Sequence, residues 1–72
     1  MQKLVIKLNL CDYNGIAQNK SVLIGVESII RVKSEQREIK GLNVTEIESR
    51  HAMVTTTYVV ETVEEVYNLI NE

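Results

Sequence analysis

The sequence predicts a β-rich α+β fold, in which five short antiparallel strands form a twisted meander or small open barrel and precede one C-terminal amphipathic helix. Three observations predict this fold. Apolar and polar residues alternate near the N terminus, with the period of a half-buried strand. An Asn14-Gly15 pair follows, which is typical of a tight hairpin turn. A helix-capping signal and an apolar stripe of helical spacing end the chain.

The first strand is predicted over Lys3–Leu10, where every even position is apolar and Lys3, Lys7 and Asn9 are polar. Asp12–Gly15 is the predicted turn. A second strand follows over about Lys20–Ile24. Gly25 is interpreted as a bend or a bulge after it.

The middle of the chain contains three further predicted strands: Ser28–Ser34, Asn43–Ser49 and Val54–Val60. The charged segment Glu35–Gly41 is predicted to be a loop, and Arg50–Met53 a turn. Val44 and Ile47 are three residues apart, so they cannot share one face of a regular strand. Both could lie on one face only if the fourth strand contained an irregularity.

The C-terminal helix has the clearest signal. Thr62 is the predicted N-cap and Glu65 completes a capping box. An apolar stripe of helical spacing follows: Val63, Val66, Tyr67, Leu69 and Ile70. A helix of about nine residues does not persist alone in water, so we expect it to dock on the sheet.

The length of 72 residues fits one small domain. At this size only about 60% of the unfolded chain's surface is buried, so stability is marginal unless disulfides, a metal or oligomerisation add to it. Cys11 is the only cysteine, and no clustered metal-ligand spacing is visible. These features predict a homo-oligomer with no metal and no cofactor.

The composition also indicates the cellular compartment and the class of partner that we expect. One unpaired cysteine favours a reducing compartment, no secretion signal is recognised, and the longest apolar stretches are far shorter than the roughly 20 residues that span a bilayer. We expect a soluble cytoplasmic protein with no membrane association. The net charge is −2 and the basic residues are dispersed, which disfavours nucleic-acid binding.

No catalytic constellation is visible in the sequence. His51 is the only histidine and stands in a predicted turn, and Cys11 is interpreted as a small buried filler. The acidic residues show no pair suited to acid–base chemistry, and the three glycines are too dispersed to cradle a phosphate. The sequence therefore predicts a protein that is not an enzyme, with no catalytic residues.

A speculative ligand-binding set combines the hydroxyls of the fifth strand with nearby cations. Thr55 and Thr57 share one face of that strand, and Tyr58 lies on the other. The full set is Arg31, Lys33, Arg37, Thr55, Thr57 and Tyr58. The alternative interpretation is that the threonines favour a strand and face water, and that the cations belong to a solvated surface.

Val22–Ile70 resembles the small FlbD-type flagellar proteins. The resemblance rests on Val22–Val32, which is similar to the family's second and third strands, and on Tyr58–Val66, which is similar to its strand-to-helix ending. Asn14-Gly15 corresponds to its short upstream turn. The resemblance implies a small accessory protein without catalysis. Similar endings occur in short bacteriophage proteins, so a phage origin is equally open.

Two functional hypotheses follow from the sequence. The first is a non-catalytic interaction module that self-associates and binds a protein partner through an exposed strand edge or a helix flank. The second is an oligomeric binder that sequesters a small molecule resembling a nucleotide.

Overall fold

The computed structural model describes residues 4–36, 43–50 and 52–72. It contains five antiparallel strands in one open sheet and a C-terminal helix, which confirms the predicted β-rich α+β class. The elements are β1 Val5–Cys11, β2 Ala17–Gly25, a 3₁₀ turn Val26–Ser28, β3 Ile29–Gln36, β4 Asn43–Arg50, β5 Val54–Val59 and α1 Val63–Asn71.

The strands lie in the order β2-β1-β5-β4-β3, so β2 and β3 are the two outer strands. Only the 3₁₀ turn Val26–Ser28 joins them. In a flat sheet of neighbours about 4.8 Å apart, the outer strands would lie about 19 Å from each other. Four Cα steps span at most about 14 Å. The open sheet must therefore be strongly curved.

The hairpin between β1 and β2 is closed by the predicted turn. The Asp12 carboxylate accepts hydrogen bonds from the backbone N–H groups of Asn14 and Ile16, both at 2.9 Å. The Asp12 carbonyl also accepts from the Gly15 N–H at 3.0 Å. Gly15 has a φ of 92°, a left-handed conformation that glycine adopts without a steric cost.

The junction between β1 and β5 is narrow. Leu10 and Val59 are the single register pair between these strands in the described chain. Beside it, the Val60 N–H donates to the Asn9 carbonyl at 3.0 Å. The Glu61 carboxylate accepts from the Asn9 N–H at 3.0 and 3.1 Å and from the Asn9 side-chain amide at 2.7 Å. We call this set of contacts the β1–β5 seam.

The core lies between the curved sheet and α1, which contacts β1 and β3. Its buried members come from both sides of the seam: Ile6, Leu8, Ile24, Ile47, Val59 and Val66. Leu69 and Ile70 pack against this cluster from the helix. Tyr67, however, is 64% exposed, so its predicted place in the apolar stripe is wrong. The short helix docks through a narrower stripe centred on Val66.

The predicted capping box is confirmed. The Thr62 hydroxyl accepts from the Glu65 N–H at 3.0 Å, and the Glu65 carboxylate accepts from the Thr62 N–H at 2.9 Å. Two N–H groups at the helix start are thereby satisfied. The N terminus of the helix is thus fixed immediately after the seam.

Several predicted boundaries need correction. β2 begins at Ala17, and Glu35 and Gln36 extend β3 into the predicted loop, because they pair with Val44 and Asn43. Arg50 likewise belongs to β4 and not to the following turn, since it pairs with Val54. Cross-strand pairing extended each of these strands beyond the residues with a clear local pattern. Residues 37–41 of the predicted loop, Lys3 and His51 lie outside the described residues.

The fourth strand contains no irregularity between Val44 and Arg50. Its register with β5 is continuous from Thr45 to Arg50, and Val44 follows in register with β3. Val44 and Ile47 therefore point to opposite faces, and both are fully buried. The sheet is covered on both faces at this end of β4. A prediction from the alternation of apolar and polar residues assumes that only one face is buried, so it does not anticipate this arrangement.

The irregularities occur elsewhere. In β2 the register with β1 shifts between Ser21 and Ala17, and Asn19 has a positive φ of 57°, which asparagine tolerates better than most residues. In β3 the register shifts at Ile30, the extra residue of a β-bulge. Gly25, predicted as a bend or bulge, is extended at φ −68° and pairs regularly with Val5. The bend begins directly after it.

Two glycines give a matched test of these conformations. We expect Gly15→Ala to lower the free energy of unfolding by about 1–2 kcal/mol, because its φ is left-handed. Gly25→Ala should change it by less than about 1 kcal/mol, since a Cβ there meets only the Ser28 Oγ at 3.9 Å. Urea denaturation followed by circular dichroism measures both. Equal losses would contradict the assignment.

The seam gives a second prediction. Glu61→Ala should lower the free energy of unfolding by about 1–3 kcal/mol, because it removes the charged acceptor of the Asn9 N–H. Glu64→Ala is the control, since Glu64 is exposed in the first helical turn and its dipole interaction contributes about 0.3–1 kcal/mol. Urea denaturation of the two variants tests the seam. A Glu61→Ala variant as stable as the wild type would show that the seam does not hold β1 to β5.

Candidate functional site

The outward face of β3, β4 and β5 carries two rows of polar residues. Cross-strand register aligns Arg31 with Glu48 and Glu48 with Thr56. The next row along the strands joins Lys33, Glu46 and Tyr58. Side chains of directly paired residues share a face of the sheet. A shallow depression lies between the rows, lined by Arg31, Lys33, Glu46, Glu48 and Thr56.

Each cation in this depression has a carboxylate partner. The Arg31 guanidinium lies 3.1 Å from the Glu48 carboxylate, and the Lys33 ammonium lies 3.2 Å from Glu35 and 4.0 Å from Glu46. Exposed pairs of this kind contribute about 0–1 kcal/mol to stability. The carboxylates compete with any external anion for the cations. As far as its described residues show, the depression therefore has no excess of positive charge to attract a phosphate group.

The structure separates the predicted ligand-binding residues. Thr55 pairs with Ser49 and Thr57 pairs with Ile47, whose buried side chain belongs to the core. Thr55 and Thr57 therefore point to the core side of the sheet. Arg31 and Lys33 point outward, so the sheet itself lies between the threonines and the cations.

Tyr58 lies on the outward face with the cations. Its ring makes an edge-to-face contact with Tyr13 from the β1–β2 turn, with centroids 5.6 Å apart and planes at 81°. Aromatic pairs favour this geometry. Tyr58 thus helps to attach the turn to the sheet. Arg37, the remaining member of the predicted set, lies outside the described residues.

Thr56 is the residue that sequence reasoning missed. It lines the depression with Arg31 and Lys33, whereas Thr55 and Thr57 were chosen for the ligand set. Strand alternation signals that Thr56 and Tyr58 share a face. The register between β3, β4 and β5 decides which of the two faces also carries the cations. The residue pattern of a single strand does not reveal that register.

Cys11 is buried, as the sequence predicted. Thiol chemistry needs an accessible thiolate, and Cys11 is only 5% exposed. Within residues 4–36, 43–50 and 52–72, no group of three or more His, Cys, Asp or Glu side chains is arranged to hold a metal ion.

The outer edge of β2 is a second candidate site. The Val26 N–H donates to the Leu4 carbonyl at 2.9 Å, and the register is unbroken from Gly25 to Ser21. Alternate β2 residues therefore exchange hydrogen bonds with β1, and the intervening ones direct their backbone groups away from it. The intervening residues are Ser21, Leu23 and Gly25.

The hydrogen bonds of Asn9 agree with this alternation. Asn9 is opposite Ser21, yet its N–H and carbonyl bond to Glu61 and Val60 on the far side of β1. Asn9 and Ser21 thus form a pair without mutual hydrogen bonds. Among the described strands, β2 pairs with β1 alone. Leu23, at the centre of this edge, is 69% exposed.

Comparison with protein-family profiles, with curated proteins and with solved structures finds no match. The resemblance to FlbD-type flagellar proteins therefore stays a prediction. No helix in the described part of the chain is both long and apolar enough to span a bilayer.

The ion pairs of the depression predict its response to nucleotides. A ligand at 100 times its Kd would add about 2.7 kcal/mol to the free energy of unfolding and raise the Tm of a domain of this size by more than about 10 °C. Because Arg31 and Lys33 are already paired, we expect millimolar nucleotides to leave the Tm unchanged in a thermal-shift assay. A rise that Arg31→Ala abolishes would instead favour the ligand-binding hypothesis.

Proposed function

We propose that this protein is a non-catalytic interaction module that acts by self-association and by binding a protein partner. The observation that supports the proposal best is the outer edge of β2, where the backbone groups of Ser21, Leu23 and Gly25 point away from β1. An edge of this kind is a template for another strand. Its hydrogen bonds supply affinity, and its side chains supply selectivity.

The size of the core also favours association. Six residues form the buried core cluster in the described chain, and a domain of this length buries only about 60% of the surface that its unfolded chain exposes. Among residues 4–36, 43–50 and 52–72, ten large apolar side chains are exposed: Leu4, Val5, Tyr13, Ile16, Leu23, Ile30, Met53, Val54, Val60 and Tyr67. Scattered exposed residues are ordinary, but Leu23 lies on an open edge where association would cover it.

A role as a small accessory subunit fits this chemistry. The resemblance to FlbD-type flagellar proteins supports such a role in a bacterium, and a phage-encoded accessory protein is the alternative source. We place the protein in the cytoplasm, because its single cysteine allows no disulfide within the chain, as is usual for proteins of reducing compartments.

The sequestering of a nucleotide-like ligand is the alternative function. Its support is the depression in which Arg31, Lys33 and Thr56 converge. The ion pairs with Glu35 and Glu48 weigh against it. Binding would require the ligand to displace one or both carboxylates, so the interaction module is the better-supported proposal.

Self-association is tested directly by sedimentation equilibrium over a range from micromolar to millimolar protein. We expect the weight-average mass to rise with concentration from that of one 8.2 kDa chain toward that of two. Repetition in high salt gives a useful control, since strand pairing and apolar contacts persist when surface charges are screened. A mass that stays at 8.2 kDa across the range would contradict the proposal.

A further inference from the structure

We infer that the partner of the β2 edge is a second copy of this chain, joined in an antiparallel two-fold pair centred on Leu23. The inference rests on the proposed function and deepens it by assigning the surface and the register. An open edge by itself accepts any extended strand. The charges at its ends favour a second copy, and the pattern of its backbone groups restricts the register.

The backbone groups are complementary under a two-fold axis through Leu23, perpendicular to the sheet. The axis places Leu23 opposite Leu23 of the second copy, and Ser21 opposite Gly25. The two Leu23 residues exchange two hydrogen bonds, and each Gly25 N–H donates to the Ser21 carbonyl of the other copy. The Gly25 carbonyl does not take part, because it accepts within the 3₁₀ turn and from the Ser28 hydroxyl at 2.7 Å.

If the two-fold axis is moved by one residue along β2, the backbone groups of the two copies no longer match. A two-fold axis through Val22 or Ile24 would place at its centre a residue whose backbone groups already bond to β1. The axis through Leu23 also keeps each side chain on its own face across the contact, so the two sheets continue into one another. The inward residues of both copies then lie on the same side.

The charges at the two ends of the pairing segment are complementary. In this register Lys20 of one copy lies opposite Val26 of the other, next to the 3₁₀ turn that carries Glu27. Both Lys20 and Glu27 are exposed, and the symmetry repeats the opposite-charge approach at each end. The attraction between these opposite charges favours the pairing of two copies.

The features that discourage strand addition are confined to the first half of β2. Asn19 has a positive φ of 57°, and the register with β1 shifts there. Bulges of this kind twist an edge away from a new strand. The stretch Ser21–Gly25 is regular and carries Leu23, 69% exposed on the outward face. Pairing with a second copy covers both Leu23 side chains at the axis.

Two pairs of variants test the surface by sedimentation equilibrium. Leu23→Lys places two ammonium groups opposite each other at the axis, and we expect it to raise the dimer Kd at least about tenfold. Tyr67→Lys is the matched control, because Tyr67 is similarly exposed but lies on the helix. Its Kd should equal that of the wild type.

The second pair tests the backbone without changing a charge. Gly25→Pro removes the outward N–H, and its φ of −68° suits proline; two hydrogen bonds are lost per dimer, so the Kd should rise roughly tenfold or more. Gly25→Ala retains the N–H and should keep the wild-type Kd. Circular dichroism checks that each variant is folded.

Cross-linking reports the register even if one of these variants fails to fold. Leu23→Cys should give a covalent dimer with a short bis-maleimide, whereas Tyr67→Cys and the wild type, whose one thiol is buried, should give little. A wild-type dimer that Leu23→Lys and Gly25→Pro leave intact, or that Leu23→Cys does not cross-link, would overturn this surface and leave self-association standing. A wild type that is monomeric throughout would overturn both proposals.

Discussion

The fold depends on the β1–β5 seam. The core takes residues from the β1–β2 hairpin and from β3, β4 and β5, but one register pair, Leu10 with Val59, joins the two parts of the sheet. The Glu61 carboxylate extends that junction by accepting from the backbone and the side chain of Asn9. Thr62 then caps the helix. The same few residues therefore hold the sheet together and determine where the helix crosses the core.

The two faces of the sheet have different roles: the inward face forms the core, and the outward face carries the charged and polar side chains. Ile47 and Val59 on the inward face are buried in the core, whereas Glu46 and Glu48 on the outward face pair with cations of β3. The ion pairs align because the strands do, and they leave the face with little net charge. A neutralised polar face suits contact with water, and the β2 edge is the surface at which we propose that a partner binds.

A strand edge that would bind a partner through its backbone groups is difficult to recognise in a sequence. Every residue of a strand carries an N–H and a carbonyl, so their availability depends on whether a neighbouring strand is present. Leu23 illustrates the difficulty, since it stands between apolar neighbours and is indistinguishable by type from the buried Ile24. Only its register opposite Lys7 places it on the exposed outward face.

The sequence by itself determined the number and order of the strands, the Asp12–Gly15 turn and the capping box at Thr62, because alternation, turn chemistry and capping are local properties. It also indicated that Cys11 is buried. The tertiary structure alone decided that β1 lies beside β5, that Val44 is buried on the opposite face from Ile47, and that Arg31 shares its face with Thr56 and not with Thr55. These features depend on pairing between residues far apart in the chain, and the pattern of one strand does not encode its register with another.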